Sequence, residues 1–214
     1  MRRPRLLDLY CGAGGASAGY WQAGFDVVGV DLAPQPGYPW AFHRADARDV
    51  LSQQWFLSGF DAIHASPPCQ AFTLAQRIQG NDHPDLVAPT RDLLDAAGLP
   101  YVIENVRGAP LRDPAELCGC MFDGLGVYRE RWFETNWHYV APPHREHSEP
   151  ITKMGRPPVD GHRMHVVGNF AGVAQARQAM RIGWMVRDEL REAIPPEYTA
   201  HVGAALARLL RSRT

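Results

Sequence analysis

LLDLYCGAGG, residues Leu6 to Gly15, is the stretch that decides the fold. An apolar run leads into a glycine-rich loop, and glycine lets a backbone turn sharply and approach a ligand closely. A strand followed by such a loop is typical of α/β proteins that bind nucleotides or adenosyl groups. The spacing differs from the GxGxxG of dinucleotide-binding folds, and no GK[ST] follows. The stretch therefore predicts an α/β protein and disfavours a phosphate cradle.

Strand and helix signals alternate through the first 110 residues. Strands are predicted at 5–10, 27–30, 61–65 and 101–103, and helices at 16–23, 50–58 and 86–97. This rhythm predicts a mostly parallel sheet with helices on both faces. The pattern breaks down over 111–165, which is expected to be loop-rich, and two closing helices are predicted at 174–193 and 198–210.

The composition is that of an ordinary globular protein. Of 214 residues, 45% are hydrophobic and 21% charged, which fits one domain with a full core. No apolar run approaches the roughly 18 residues that span a bilayer, and the N-terminus lacks the apolar segment of a signal peptide. A cytoplasmic protein without a membrane partner is therefore expected. The net charge of −1 argues neither for nor against nucleic acid, whose binding would need a locally positive face.

The cysteines do not form a disulfide framework in a chain of this length. Cys118-x-Cys120 together with His144-x-x-His147 would make a Cys₂His₂ zinc set. Because CxC is less common than CxxC, buried free cysteines and surface histidines are the favoured interpretation, and no metal site is predicted. His64, inside an apolar strand, is expected to be structural.

Two reactive side chains follow predicted strands. Cys69 lies in Ser66-Pro-Pro-Cys-Gln70, and Glu104 begins Glu104-Asn-Val106. Since ligands bind at the C-terminal ends of parallel strands, this thiol and this carboxyl group would face one crevice. Two adjacent prolines fix the backbone where a nucleophile must be aimed, and Asn105 is expected to support that loop.

Two further carboxylates are candidates for cofactor binding: Asp31 follows the second predicted strand, and Asp46 follows a short segment that would be a third. Asp31 is placed to accept hydrogen bonds from ribose hydroxyls, and Asp46 to meet an adenine amino group. The alternative for both carboxylates is the capping of a turn.

These segments, in this order along the chain, resemble the DNA cytosine-5 methyltransferase family. The resemblance implies a Rossmann-like, S-adenosylmethionine-dependent methyltransferase fold with a catalytic core at 1–133 and 166–214. Residues 134–165 would form a minimal target-recognition insert, much smaller than the recognition domain of most members. Relaxed or very short sequence specificity is therefore expected, as in compact phage-encoded enzymes that protect a genome from restriction.

The resemblance also implies catalytic residues. Cys69 would add to carbon 6 of cytosine, and Glu104 would stabilise the charge that develops near N3. Arg129-Glu-Arg131 resembles the next family motif, in which Arg131 would meet the base carbonyl with Arg129 as its support. The alternative for this pair is an alternating, solvated strand face.

A cofactor site follows from the same resemblance. In this site Tyr10 would stack on the adenine, and Thr199 would contact the cofactor together with Tyr198. The residues that would bind S-adenosylmethionine come from the glycine-rich loop, the two following strand ends, the cysteine loop and the closing helix: Tyr10, Gly12, Ala13, Gly14, Asp31, Leu32, Asp46, Ala47, Pro68 and Tyr198.

The expected partner is double-stranded DNA with one base extruded, because carbon 6 is inaccessible within a stacked duplex. Residues 70–89 would close over that base, with polar side chains entering the gap: Gln76, Arg77, Gln79 and Asn81. Phosphate contacts are predicted for four basic residues of the insert: Arg145, Lys153, Arg156 and Arg163. The protein is expected to be a monomer or a homodimer.

Three alternatives stay open. Cousins that modify tRNA share the pattern, and a different alkyl donor is conceivable at the same cytosine position. A non-catalytic remnant that binds nucleic acid is suggested by the small insert and by Val127 and Ala204, which stand where the family usually has Gln and Asn.

Overall fold

A computed structural model describes residues 2–68 and 85–213 of the chain. Within them, one sheet has the strand order β3-β2-β1-β4-β5-β7-β6. Its strands are β1 Arg5–Leu9, β2 Asp26–Asp31, β3 Ala41–Arg44, β4 Ala62–Ala65, β5 Tyr101–Asn105, β6 Ala115–Leu117 and β7 Arg131–Thr135. The strands from β3 to β5 in this order are parallel, and β7 runs antiparallel to both of its neighbours.

Helices cover both faces of the sheet. They are α1 Gly15–Gln22, α2 Ala47–Leu51, α3 Gln54–Leu57, α4 Val87–Ala97, α5 Val173–Met180, α6 Arg187–Glu192 and α7 Pro196–Ser212. On one face Tyr20 of α1 and Leu206 of α7 pack against Leu6 and Val27, and on the other Val50 of α2 and Leu94 of α4 pack against Ile63. This architecture confirms the predicted α/β fold of a Rossmann-like methyltransferase.

The packing of α1 on α7 requires a glycine. A Cβ on Gly19 would lie 2.0 Å from the carbonyl oxygen of Pro196 and 2.1 Å from Oγ1 of Thr199. The Thr199 hydroxyl donates to the carbonyl of Ala16 at 2.8 Å. The last helix of the chain therefore lies directly on the helix that follows the glycine-rich loop.

The structure differs from two of the helix predictions. The helix expected at 50–58 is the pair α2 and α3, because α2 ends at a cap on Ser52. The helix expected at 174–193 is the pair α5 and α6, because Arg181 adopts a left-handed conformation with φ 54° and ends α5.

The loop-rich assignment of 111–165 is wrong for part of that range. Strands β6 and β7 complete the main sheet, and the two-residue strands β8 Ile151–Thr152 and β9 Arg163–Met164 pair with each other. Charged residues such as Glu116, Arg131 and Glu134 occupy β6 and β7, so neither strand has the apolar pattern that predicts a strand. The boundary placed at 133/134 stays a prediction, and β7 itself ends at Thr135.

None of the helices within residues 2–68 and 85–213 is both long enough and apolar enough to cross a bilayer.

Candidate active site

Several of the candidate site residues lie at one edge of the sheet. Because β1, β2, β4 and β5 are parallel, the segments that follow them emerge at the same edge. Strand β7 is antiparallel to β5, so its first residue, Arg131, starts where β5 ends. The glycine-rich loop, Asp31, Ser66 and Glu104 therefore share this edge with Arg131.

Glu104 and Arg131 form a buried ion pair. Arg131 Nε lies 3.0 Å from Glu104 Oε1, and the two side chains are 16% and 8% exposed, respectively. Glu104 is paired with Phe133 in the β5–β7 register, which places Arg131 diagonally across from it on the same face. The antiparallel strand thus brings a guanidinium to a carboxylate 27 positions earlier in the chain.

Burial raises the pKa of Glu104 above its ordinary value. The charge of Arg131, a hydrogen bond from Ser66 and the charge of Arg129 act in the opposite direction. Burial has the larger effect, so this carboxyl group takes up a proton more readily than one in water. A group of this kind can either donate a hydrogen bond or balance a positive charge.

A chain of buried hydrogen bonds leads from α1 to Glu104. His64 Nδ1 lies 2.9 Å from the Tyr20 hydroxyl, and His64 Nε2 lies 2.8 Å from Oγ of Ser66. Burial lowers the pKa of His64 to about 3, so the imidazole is neutral. His64, expected to be structural, is therefore the link between Tyr20 and the serine beside Glu104.

The direction of these bonds is fixed when the Glu104 carboxyl group is ionised. An ionised carboxylate only accepts, so Ser66 must donate its hydroxyl proton to Glu104. The oxygen of Ser66 then accepts from Nε2–H of His64, and Nδ1 accepts from Tyr20. Tyr20, His64 and Ser66 each have a hydrogen-bond partner in this arrangement.

Cys69 lies outside the described residues, as do Gln76, Arg77, Gln79 and Asn81. The segment that leads to it is fixed: Asn105 Nδ2 donates to the carbonyl of Pro67 at 2.9 Å, which confirms that Asn105 supports this loop. Pro68, assigned to the cofactor by resemblance, is exposed.

Arg129 has a different set of contacts from Arg131. Its guanidinium donates to the carbonyls of Val166 and Arg191, each at 2.7 Å. Its backbone has φ 40°, and the hydroxyl of Tyr198 donates to the carbonyls of Tyr128 at 2.8 Å and of Arg129 at 3.0 Å. Arg129 therefore joins the start of β7 to the segment before α5 and to the last turn of α6.

Tyr198 is completely buried, and its ring lies 5.3 Å from that of Phe122. The contacts of its hydroxyl are those with the turn before β7, and a contact with the cofactor stays a prediction. Thr199 is also buried.

The glycine-rich loop is bound to the end of β2. The amide of Gly12 donates to Asp31 Oδ2 at 3.0 Å, and the amide of Ala33 donates to Asp31 Oδ1 at 2.9 Å. Asp31 therefore has the turn-capping contacts that were the alternative to ribose binding, and both can coexist on one carboxylate. Leu32, the next predicted cofactor residue, is 68% exposed.

The remaining predicted cofactor residues flank this loop. Gly14 has φ 90°, and a Cβ there would lie 3.0 Å from ring atoms of both Tyr38 and Trp40, so a side chain at this position would be strained and crowded. Ala13 is buried, and its carbonyl accepts from Trp184 Nε1 at 2.9 Å. Tyr10 has φ 56°, and its hydroxyl lies 2.8 Å from Oγ1 of Thr90.

Asp46 caps α2. Its carboxylate accepts from the backbone amide of Arg48 at 2.8 Å and pairs with the guanidinium of that residue at 2.9 Å. These contacts, chiefly those with Arg48, lower the pKa of Asp46 below its ordinary value. Ala47, the first residue of α2, is buried.

Two residues of this site have no assignment from the sequence. Ser66 directly precedes the two prolines of the Cys69 motif, and this position was the signal in the sequence that could have identified it. Trp184 contacts Ala13 across 171 positions of the chain, and no local pattern marks it.

A pocket of about 290 Å³ opens beside Arg129 and Arg131, and residues of the insert form part of its wall. The pocket is lined by Tyr128, Arg129, Glu130, Arg131, His147, Ile151, Met164, His165, Val166 and Val167. Of the basic residues predicted to contact phosphates, Arg145 pairs with Asp123 at 2.6 Å and Arg163 with Glu149 at 2.8 Å.

Curated relatives of the chain are bacterial type II methyltransferases, although no protein-family model matches it. M.HgiGI of Herpetosiphon aurantiacus is 30% identical over 118 residues, which cover 50% of this chain and 94% of that protein. M.FnuDI of Fusobacterium nucleatum is 28% identical over 49% of this chain and 33% of its own length. M.XorII of Xanthomonas oryzae is 31% identical over 50% and 29%, respectively. The chain thus spans about a third of the length of the last two.

Solved structures share the fold over the whole chain. A protein of an E. coli prophage assigned as a DNA modification methyltransferase has a TM-score of 0.65 at 14% identity, with 97% of this chain and 99% of that chain covered. The Dnmt2 methyltransferase of S. pombe has a TM-score of 0.60 at 15% identity, with 98% and 99% covered. At these identities the likeness establishes the fold.

Proposed function

Because the chain belongs to the family of type II methyltransferases, we propose that it transfers a methyl group to carbon 5 of cytosine in DNA. The observation that carries the proposal is Glu104, buried beside Ser66 and Arg131 next to the Pro67-Pro68 segment that leads to Cys69. Cytosine-5 chemistry needs one thiol and one carboxyl group facing one edge of the ring.

Cys69 is the nucleophile in this proposal. Its thiolate adds to carbon 6 of the cytosine, and electron density moves toward N3 and carbon 5. Glu104, whose pKa burial raises, donates a hydrogen bond at N3 where negative charge develops. Arg131 lies beside that carboxyl group and is assigned to the base carbonyl, with Arg129 fixing the turn from which β7 starts.

The methyl donor is S-adenosylmethionine, which supplies an electrophilic methyl group to carbon 5 and leaves as S-adenosylhomocysteine. Gly12 and Asp31 form one bonded unit at the ends of β1 and β2, the position at which doubly wound sheets bind such ligands. A Cβ on Gly12 would meet no heavy atom within 4 Å, so the loop leaves open space beside this residue for a ligand. The further cofactor assignments, including Asp46 and Tyr198, belong to the same proposal.

The substrate is a DNA duplex from which the target cytosine is extruded. The insert at 134–165 would meet the duplex beside the arginine pair, and its small size favours very short or relaxed specificity. A place in restriction–modification, or in the protection of a phage genome, is consistent with these properties. The oligomeric state, monomer or homodimer, does not enter the chemistry.

The covalent step gives the sharpest test. The protein is incubated with tritiated S-adenosylmethionine and duplexes that contain 5-fluorocytosine, and the products are resolved by denaturing electrophoresis. After methyl transfer the carbon-5 proton must leave before the Cys69 thiolate is expelled from carbon 6. Fluorine in place of that hydrogen cannot leave as a cation, so a radiolabelled protein–DNA adduct is expected to persist. The Cys69→Ser variant should give none, and a duplex with ordinary cytosine should be labelled without an adduct.

Other outcomes identify the alternatives. Label transferred to adenine without an adduct would overturn cytosine-5 chemistry, and an adduct with tRNA but not with DNA would change the polymer. A protein that folds and binds DNA, but binds no S-adenosylmethionine and forms no adduct, would be the non-catalytic remnant.

A further inference from the structure

Two cysteines and two histidines from separate parts of the chain lie close together next to the C-terminal end of the edge strand β6. Cys118 directly follows β6, Cys120 lies in the 3₁₀ helix Gly119–Met121, and His144 and His147 belong to the insert. One ligand atom from each of the four lies within 4.8 Å of all the others. The sequence pattern favours free cysteines and surface histidines, but that interpretation does not require the four to converge. We propose that they bind one zinc ion.

The spacing of the four atoms fits a tetrahedral site. With Zn–S bonds of about 2.3 Å and Zn–N bonds of about 2.0–2.1 Å, a sulfur and a nitrogen on one tetrahedral zinc ion lie roughly 3.6 Å apart. Cys118 Sγ lies 3.2 Å from His147 Nε2, and Cys120 Sγ lies 3.6 Å from His144 Nε2. A thiol–imidazole hydrogen bond would explain each pair separately, whereas a shared ion explains why the two pairs lie together.

The surroundings also favour a cation. Glu116 Oε1 lies 3.7 Å from His144 Nε2, and Glu130 Oε1 lies 3.9 Å from His147 Nε2. The ring of His147 stacks on that of Tyr128 with centroids 3.8 Å apart and planes at 13°, which fixes the imidazole. Both carboxylates lie beside the imidazole nitrogens that would bind the ion, so they add negative charge next to it, and the stacking holds the His147 ring in place.

The chemistry of binding balances without a further reactant. Each thiol loses its proton as the Zn–S bond forms, so two protons are released and the charge of Zn²⁺ is offset by two thiolates. Two imidazoles complete four-coordination, and no position is left for water or substrate. Such a closed site is structural and not catalytic.

The ion would attach the insert to the sheet. Its ligands connect the segment after β6 with residues 24 to 29 positions further on. The insert has only the two-residue strands β8 and β9 of its own, so it gains most from a cross-link. Since His147 also lines the pocket that contains Arg129 and Arg131, the ion would hold that wall against the arginine pair.

Metal content of the full chain is the first test. The protein is expressed in zinc-supplemented medium and passed over a chelating resin, which removes weakly bound metal. Its zinc content is then measured by inductively coupled plasma mass spectrometry. We expect about one zinc per chain in the wild type and less than a tenth of that in Cys120→Ser and His144→Gln. Matched controls, Cys11→Ser, Cys69→Ser and His138→Gln, should keep the full amount.

Cobalt substitution tests the geometry on the unaltered sequence, so the proposal stays falsifiable even if the variants do not fold. Co²⁺ in a tetrahedral site with two thiolates gives intense visible d–d bands and thiolate-to-cobalt charge transfer in the near ultraviolet. A weak octahedral spectrum, no uptake, or equal zinc in the ligand variants and their controls would overturn the proposal. Neither measurement depends on methyl transfer.

Discussion

Arg131 Nε and Glu104 Oε1 lie 3.0 Å apart at the point where one strand of the sheet ends and its antiparallel neighbour begins. Burial favours the neutral form of the Glu104 carboxyl group, and the guanidinium favours the charged form. The protonation state of the carboxyl group therefore depends on the arginine, and the same arginine is assigned to the cytosine edge. The two side chains act as one unit.

Replacing Arg131 by Gln should raise the pKa of Glu104 further, because the largest opposing charge is lost. Methyl transfer should fall by roughly 100-fold, as when one donor to a developing charge is removed. The pKa is measured by carbon NMR of the labelled carboxyl group, and the rate by tritium transfer. Arg208→Gln, on an exposed position of α7, is the control. An unchanged carboxyl titration in Arg131→Gln would contradict the pairing.

The hydrogen-bond chain through His64 predicts coupled effects. Ser66→Ala removes the donor to Glu104, so kcat should fall by roughly tenfold while the Kd for S-adenosylmethionine stays the same. His64→Leu should have a similar effect on kcat, and the double variant should be no worse than either single one, because both act through the same bond. Additive losses of kcat in this cycle would show that His64 and Ser66 act independently, and would contradict the hydrogen-bond chain.

Asp8 predicts a dependence of stability on pH. Burial raises its pKa to about 7, whereas a hydrogen bond from Ser17 acts in the opposite direction. Because the folded state holds the proton more tightly than the unfolded state, this stabilisation is complete below about pH 4 and is lost as the pH rises through about 7. Asp8→Asn carries no such charge. The wild type therefore loses stability as the pH rises, whereas this variant does not. The free energy of unfolding of Asp8→Asn minus that of the wild type should increase by up to about 4 kcal/mol between pH 4 and pH 8.

Urea unfolding at several pH values measures this difference. The neutral, buried His64 gives the opposite trend, but it is present in both proteins and cancels. Asp92→Asn, at an exposed position of α4, should show no comparable change. A constant difference between Asp8→Asn and the wild type would mean that Asp8 is ionised in the folded protein throughout.

Tyr198→Phe distinguishes two assignments of one residue. Its hydroxyl donates to the carbonyls of Tyr128 and Arg129, so its loss should lower the free energy of unfolding by about 1–3 kcal/mol and lower kcat through the turn before β7. The Kd for S-adenosylmethionine, measured by calorimetry, should stay the same. A weaker Kd with an unchanged kcat would instead support a direct contact between this hydroxyl and the cofactor.

Gly19 should tolerate no side chain. A Cβ there would meet backbone atoms of α7 at 2.0 Å, so Gly19→Ala should destabilise the protein by about 1–3 kcal/mol or more. Gly183→Ala is the matched control, since a Cβ at that position has no heavy atom within 4 Å. Thermal unfolding compares the two variants. Equal melting temperatures would contradict the close packing of α1 on α7.

Local signals in the sequence were sufficient for the parallel half of the sheet. Alternating apolar runs and glycine or proline turns depend on residues a few positions apart, and these predicted β1, β2, β4 and β5 with their connecting helices. The ends of the same strands gave Glu104 and Asn105, because parallel strands finish at one edge whatever their neighbours are. The contact of Asn105 with Pro67 followed from this placement.

Only the tertiary structure decided the rest. Strands β6 and β7 carry charges, so their place in the sheet depends on pairing with β5 and not on their own pattern. The antiparallel register brings Arg131 to Glu104, α1 brings Tyr20 to His64, and the insert brings His144 and His147 to Cys118 and Cys120. The sequence by itself determined which residues can do chemistry and at which strand ends they lie. The tertiary structure determined which of them touch, because contacts between distant segments depend on strand register and helix packing, which no short stretch of sequence encodes.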